Sequence, residues 1–235
     1  MKRFYKTVSV QEAETELEAG WQVCLDGRGI KTVQGKPQVV PTRALAEALA
    51  TEWEAQGEKI DPASLPLRDM ADYAIDVVGA DHEGLITKLL AYADTDTLLY
   101  RADPDEPLYA RQQEVWEPIL AAFEAAHGVT LKRVSGVMHA AQDEAAMAKI
   151  GDGMSNLDPF TLAALEAMTS LAASLTIGLS ALEEGSDPLK LWQAASLEEE
   201  WQADLWGRDE EAEERRARRT ADFERAARFA RLAQP

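Results

Sequence analysis

Two stretches of this 235-residue chain hold residue types that could do chemistry. The first is Tyr92-Ala93-Asp94-Thr95-Asp96-Thr97-Leu98. Carboxylates in D-x-D-x-T order can serve as a nucleophile and an acid/base partner in phosphoryl transfer. That chemistry needs a magnesium ion and a strand ending at the first aspartate. The second is Ser196-Leu197-Glu198-Glu199-Glu200-Trp201-Gln202-Ala203-Asp204-Leu205-Trp206-Gly207. At 3.6 residues per turn, three consecutive glutamates cannot share one helix face. Trp201 and Trp206, five apart, flank one side only loosely. Tryptophan beside carboxylate is a common composition for a protein-binding hot spot. Spacing alone favours a plainer reading, a solvated acidic turn over core tryptophans.

The elements that would position these groups divide the two cases. The residues before Asp94 have helical period, with Leu85, Leu89 and Tyr92 on one face of a helix that Asp81 can cap. No alternating strands and helices follow to build a parallel sheet. The Asp94/Asp96 pair resembles the magnesium-dependent phosphatases of haloacid-dehalogenase type, and that is the alternative function. The plainer reading is a helix end where Asp and Thr satisfy loose backbone groups. No P-loop, nucleophile elbow or dinucleotide fingerprint is present. His82, His127 and His139 are scattered, so no zinc site is expected. Asp152-Gly153-Met154-Ser155-Asn156 lacks the third ligand of a calcium loop and reads as a turn. No catalytic residue, metal or cofactor is expected.

The first 40 residues predict a small β-rich unit. Phe4–Val8 is strand-like, and Ser9 with Glu12 forms a capping box for a short helix that Gly20 stops. Trp21–Leu25 alternates as a strand, with Asp26-Gly27 as a hairpin turn. Ile30–Val33 returns, Gln34-Gly35 turns, and Gln38–Val40 is a third run. Thr42 caps a helix to about Gln56 that buries Leu45, Leu49 and Trp53. The proline-punctuated stretch from Ile60 to Pro66 marks a boundary. The fold class is therefore α+β, with a β-rich N-terminal domain over 1–64 and a helical domain over 65–235. Within the latter, Leu67, Met70, Ala74, Ile75 and Val78 form a stripe. Pro107 starts a helix that Pro118 kinks or restarts, and Val129–Val134 is a candidate strand. Asp158-Pro159 starts one central buried helix running to Leu182. Asp187-Pro188 starts another that Gly207 ends, and a last helix spans about Asp209–Leu232.

Composition bounds the partners. The 42 acidic against 24 basic residues give a net charge of −18, a field that repels nucleic acid and anionic membranes. No apolar stretch approaches the ~20 residues of a membrane span. The single cysteine, Cys24, sits in an alternating run and allows no intrachain disulfide, which suits a reducing compartment. The first residues, Met1-Lys2-Arg3-Phe4-Tyr5-Lys6, predict neither a secretory signal nor a transit segment.

The run from Ser196 to Gln202, then Trp206-Gly207, then an acidic helix of form E-x-x-x-R-R-A-R, resembles the ATP synthase assembly chaperones. These bind the alpha subunit of the catalytic head. Three further segments agree: Arg3-Phe4-Tyr5-Lys6 with the hairpin Val23–Arg28; Ala50-Thr51-Glu52-Trp53-Glu54-Ala55-Gln56; and Thr95-Asp96-Thr97-Leu98-Leu99-Tyr100 leading to Gln112 and Trp116-Glu117-Pro118. The resemblance spans nearly the whole chain in order. It implies a monomeric, non-enzymatic chaperone of the bacterial cytoplasm, with relatives in the mitochondrial matrix. It holds the free alpha subunit until beta subunits replace it. By this resemblance Glu199, Glu200, Trp201 and Trp206 are the partner-binding residues.

Overall fold

Asp26 and Gly27 both hold positive φ, 49° and 78°, the geometry of a tight turn whose twist suits antiparallel strands. In this computed structural model, which describes residues 1–14, 19–136 and 138–234, the turn joins β2 (Ala19–Leu25) to β3 (Arg28–Gly29). Strand β1 (Val8–Glu14) runs antiparallel to β2 in unbroken register, from Val8 opposite Leu25 to Glu14 opposite Ala19. A fourth strand, β4 (Val39–Val40), also pairs with β2. Strand β1 corrects the helix expected from the Ser9/Glu12 capping box. Local capping lost to pairing with a complementary strand, which half-buries Val8, Val10 and Ala13. The rest of that expected helix, residues 15–18, lies outside the described residues. Phe4–Val8 is likewise no strand: β1 begins at Val8.

Helix α1 (Arg43–Glu54) starts where Thr42 predicts, with the Thr42 hydroxyl accepting from Leu45 N at 3.1 Å. It buries Leu45, Leu49 and Trp53. Helix α2 (Pro66–Tyr73) continues into a π-helical turn, Ala74–Val78. The stripe expected here faces inward, with Leu67, Ala74 and Val78 buried and Met70 and Ile75 half-buried, and two acids are buried beside it. Asp72 accepts from Val33 N at 3.2 Å and Asp76 accepts from Gln34 N at 3.1 Å, so the two carboxylates pin the turn at Gln34-Gly35.

Backbone contacts divide the chain into two compact units. The first holds Met1–His82, Asp158–Ala164 and the chain from Arg228 on; the second holds Glu83–Leu157 and Leu165–Ala227. The boundary expected at residues 64 and 65 falls inside the first of these segments.

The remaining elements are mostly helical: α3 (His82–Ala93), α4 (Pro107–His127), α5 (Glu144–Met154), α6 (Pro159–Ala172), α7 (Leu175–Leu182), α8 (Pro188–Ala195), α9 (Leu197–Trp206) and α10 (Glu210–Ala233). A short parallel pair, β5 (Tyr100–Arg101) with β6 (Val134–Ser135), accompanies them. Helix α4 runs through Pro118 without restarting. The single buried helix expected over Phe160–Leu182 is two helices. Ala173, at φ 48°, breaks the chain, and Ser174 caps α7 by accepting from Ile177 N at 3.0 Å. The long helix expected up to Gly207 is also two, parted at Ser196.

Gly178 on α7 marks a close approach. A Cβ there would lie 2.4 Å from Thr169 Oγ1 and 3.4 Å from Thr169 N on α6. Gly178→Ala therefore forces α6 and α7 apart despite the better helix propensity of alanine. Overpacking of this kind costs about 1–3 kcal/mol, and chemical denaturation should show the loss.

Candidate functional site

Asp96 is the first candidate to place, and it is 0% exposed. Its carboxylate accepts from Leu98 N at 3.0 Å, Ser174 Oγ at 2.7 Å and Thr176 N at 2.9 Å. It thus caps the start of α7, where the helix dipole favours negative charge. Thr97 serves the other side of the same joint. Its hydroxyl donates to the carbonyls of Ala172 and Ala173 at 3.1 and 3.0 Å, closing the end of α6. Burial pushes the Asp96 carboxyl above its ordinary range, against the hydrogen bonds from Ser174, Thr176 and Leu98 that lower it. Asp94 Oδ1 accepts from Gln142 N at 3.3 Å, and Asp94 O accepts from the Tyr100 hydroxyl at 2.9 Å. Asp94 follows helix α3, not a strand. The phosphatase alternative is therefore corrected. The second carboxylate is sealed from any substrate, the first lacks the strand end the chemistry needs, and D-x-D-x-T here staples two helices. Among the described residues no cluster of His, Cys, Asp and Glu could hold a metal ion.

The second candidate stretch is helix α9. Of its ten residues only Leu197 is buried, so side-chain polar contacts do much of the work of holding it. Gln112 on α4 is fully buried. Its Oε1 accepts from Ala102 N at 2.9 Å, which fixes the amide and leaves Nε2 to donate to Glu198 Oε1 at 2.6 Å. One helical turn on, Trp116 donates its indole N–H to Ala194 O at 2.8 Å at the end of α8. The motif residues Gln112 and Trp116 thus support the α8–α9 joint from below.

The other acids of α9 face arginines. Glu199 pairs with Arg219 at 2.9 Å, and Glu200 with Arg216 at 3.1 Å and Arg208 at 2.9 Å. Arg208 also reaches Asp204 at 2.8 Å and Glu213 at 3.2 Å. These acceptors, Asp204 first and Glu200 next, hold the Arg208 guanidinium above its ordinary pKa. Arg219 in turn donates to Leu171 O at 2.9 Å and lies 5.2 Å over the Trp192 ring, which stacks on Phe223. Between α9 and α10 a cleft of about 380 Å³ is lined by Glu199, Gln202, Trp206, Arg215 and Arg219.

Structure and sequence expectation diverge within this cluster. Trp206 is 79% exposed beside Leu205 at 62%, whereas Trp201 is half-buried. Glu199 and Glu200 reach solvent in part but already have partners. Arg208, Arg216, Arg219 and Leu205 were missed. Within α10 Glu211 pairs with Arg215 at 3.2 Å, the i,i+4 spacing of one helix, but Arg216 and Arg219 also reach across to α9, which no spacing rule reports.

Burial raises the Glu198 carboxyl above its ordinary range, against the hydrogen bond from Gln112. The folded chain then keeps that proton to a higher pH than the unfolded chain. Stability is accordingly lost as pH rises from the ordinary glutamate range through the raised value. Glu198→Gln keeps the acceptor for Gln112 and removes the charge. Its melting temperature should match the unaltered chain near about pH 4 and exceed it at pH 8, as a thermal series across that range would show.

Comparison with known proteins bears on the family and the fold. The sequence profile described as "ATP12 chaperone protein" matches residues 2–124. The crystal structure of Atp12 from Paracoccus denitrificans superposes with a TM-score of 0.92 at 36% identity, covering 99% of this chain and 98% of that one. Protein atp12, mitochondrial, from Schizosaccharomyces pombe is 29% identical over 227 residues, 91% of this chain and 76% of its own length. Its Saccharomyces cerevisiae counterpart is 26% identical over 253 residues, 89% of this chain and 77% of its own length. Among the described residues no helix is long and apolar enough to cross a membrane. The chain belongs to the ATP12 chaperone family.

Proposed function

We propose that this chain is an assembly chaperone for the ATP synthase catalytic head. It binds the free alpha subunit as a monomer in a bacterial cytoplasm, and yields it to beta subunits. The observation that carries the reading is Trp206, standing with Leu205 in solvent at the tip of a helix braced from three sides. A subunit bound for an obligate ring exposes large apolar interfaces and aggregates alone. An ordered tryptophan offered to solvent suits such a surface, since aromatic anchors dominate interface energetics. Glu199 and Glu200 contribute in two ways. They fix α9 against α10, and their solvent-facing edges present negative charge to basic or amide groups of the alpha subunit. Trp201, half-buried one turn earlier on the same helix, adds apolar surface to this contact.

Light scattering tests this directly. Isolated alpha subunit held at an aggregating temperature should stay clear when this chain is added at equimolar concentration. Unchanged scattering would remove the proposal.

A further inference from the structure

The motif Arg3-Phe4-Tyr5-Lys6 has no part in helix α9 or its supports, yet the first unit holds its backbone with unusual completeness. Ile60 N donates to Met1 O and Arg3 N to Glu58 O, each at 2.9 Å. The Arg3 guanidinium donates to the Gln56 carbonyl and lies 4.6 Å over the Tyr5 ring. The Tyr5 hydroxyl donates to Trp53 O at 2.6 Å, and Tyr5 is 4% exposed. Lys6 N and Thr7 N donate to Asp26 Oδ1 at 3.0 and 2.9 Å, and the Thr7 hydroxyl donates to the same oxygen at 3.0 Å. Between these anchors Phe4 is 65% exposed, with its ring edge-on to Tyr5 at 5.4 Å.

Scattered exposed apolar residues are ordinary and need no explanation. Phe4 differs because the backbone on both sides is pinned by residues from separate parts of the unit: Trp53, Gln56 and Glu58 on one side, Asp26 on the other. A partner covering the ring therefore meets a segment already ordered, and preorganisation of this kind raises affinity by removing the cost of ordering. Charge narrows the partner. Lys2, Arg3 and Lys6 flank Phe4 along the chain, no acidic residue precedes Glu12 in a chain of net charge −18, and the Asp26 carboxylate beside this segment is already taken up by the Lys6 and Thr7 N–H groups. A phenyl ring whose chain neighbours are cations fits an apolar pocket rimmed by carboxylates.

We infer that Phe4 is a second client anchor, seating in an apolar, carboxylate-rimmed pocket of the unassembled alpha subunit. This rests on the chaperone reading above. It assigns the first unit a contact of its own, distinct in chemistry from the acidic helix α9.

The test is titration of isolated alpha subunit against four chains: the unaltered protein, Phe4→Ser, Phe4→Leu, and the pair Lys2→Gln, Lys6→Gln. Phe4→Ser should weaken binding about tenfold with an unchanged melting curve, since the ring is largely in solvent. Phe4→Leu, still apolar, should fall between. The lysine pair should slow association, and the effect should fade at high salt. Phe4→Ser binding at full strength overturns the inference while leaving the chaperone reading intact. An unaltered chain that binds no alpha subunit overturns the chaperone reading and takes the proposed client of Phe4 with it. Sedimentation adds a further outcome: self-association abolished by Phe4→Ser would make a second copy the occupant, which also overturns the inference.

Discussion

Asp96→Ala should lower the melting temperature by roughly 10 °C, the largest stability effect expected of any single polar substitution here. The carboxylate is fully buried and is the acceptor for two backbone N–H groups, of Leu98 and Thr176, and for the Ser174 hydroxyl. Alanine leaves these donors facing a void that no side chain refills. Each buried donor left unsatisfied costs about 1–3 kcal/mol, so a total of several kcal/mol is expected even with partial relaxation. Asp96→Asn should fall between, because its amide offers one acceptor oxygen and turns an N–H₂ toward the remaining donors. A catalytic acid/base would behave oppositely, since sites held for chemistry carry strain whose removal often stabilises. Thermal unfolding of the two variants therefore separates a helix staple from an active-site acid.

Trp206→Ala should weaken capture of the alpha subunit by about 30-fold, corresponding to a loss of about 2 kcal/mol from an interface anchor. Trp206 and Leu205 are the two large apolar side chains that α9 gives to solvent. Truncating an exposed ring removes little from the fold, so the melting curve should stay in place while affinity falls. The double substitution Glu199→Ala, Glu200→Ala is a different experiment. It removes the carboxylate paired with Arg219 and the α9 glutamate shared by Arg216 and Arg208, which keep Glu213 and Asp204, and so loosens the seat of the helix as well as its charge. Amide exchange across Leu197–Trp206 should quicken in that variant and stay unchanged in Trp206→Ala. Reading the two together divides what α9 contacts from what keeps it in place.

Much of the local architecture was written in short-range chemistry. Asp26-Gly27 adopts the two positive φ values its sequence requires. Thr42 caps α1 through its hydroxyl, and Asp158 starts α6 by accepting from Phe160 N at 2.8 Å. These signals survive because donor and acceptor lie within three residues of each other. What failed to show was decided at a distance. Ser9 and Glu12 carry a sound capping box, yet β2 claims that stretch as a strand. The break at Ala173 carries no proline or glycine; its local signal is the Ser174 cap alone, and the buried carboxylate that reinforces the restart belongs to Asp96, 78 residues upstream of Ser174. The D-x-D-x-T pattern misled for the same reason. Two acids and a threonine suit a phosphoryl group, but they suit the loose ends of two helices equally well, and only burial tells the cases apart. The α9 cluster was legible as residue types and not as roles. Glutamates expected to await a partner already hold arginines, and of the two tryptophans only Trp206 stands free.

In the proposed function the chain holds the alpha subunit and gives it up to its true partner. Such a chaperone must bind more weakly in total than the finished ring. Gel filtration of the preformed complex with alpha subunit, after addition of beta subunit, measures that exchange. Alpha is expected to move into an alpha–beta peak, with this chain eluting alone. A chain that stays with alpha in the presence of excess beta, or that co-elutes with the assembled head, would contradict it.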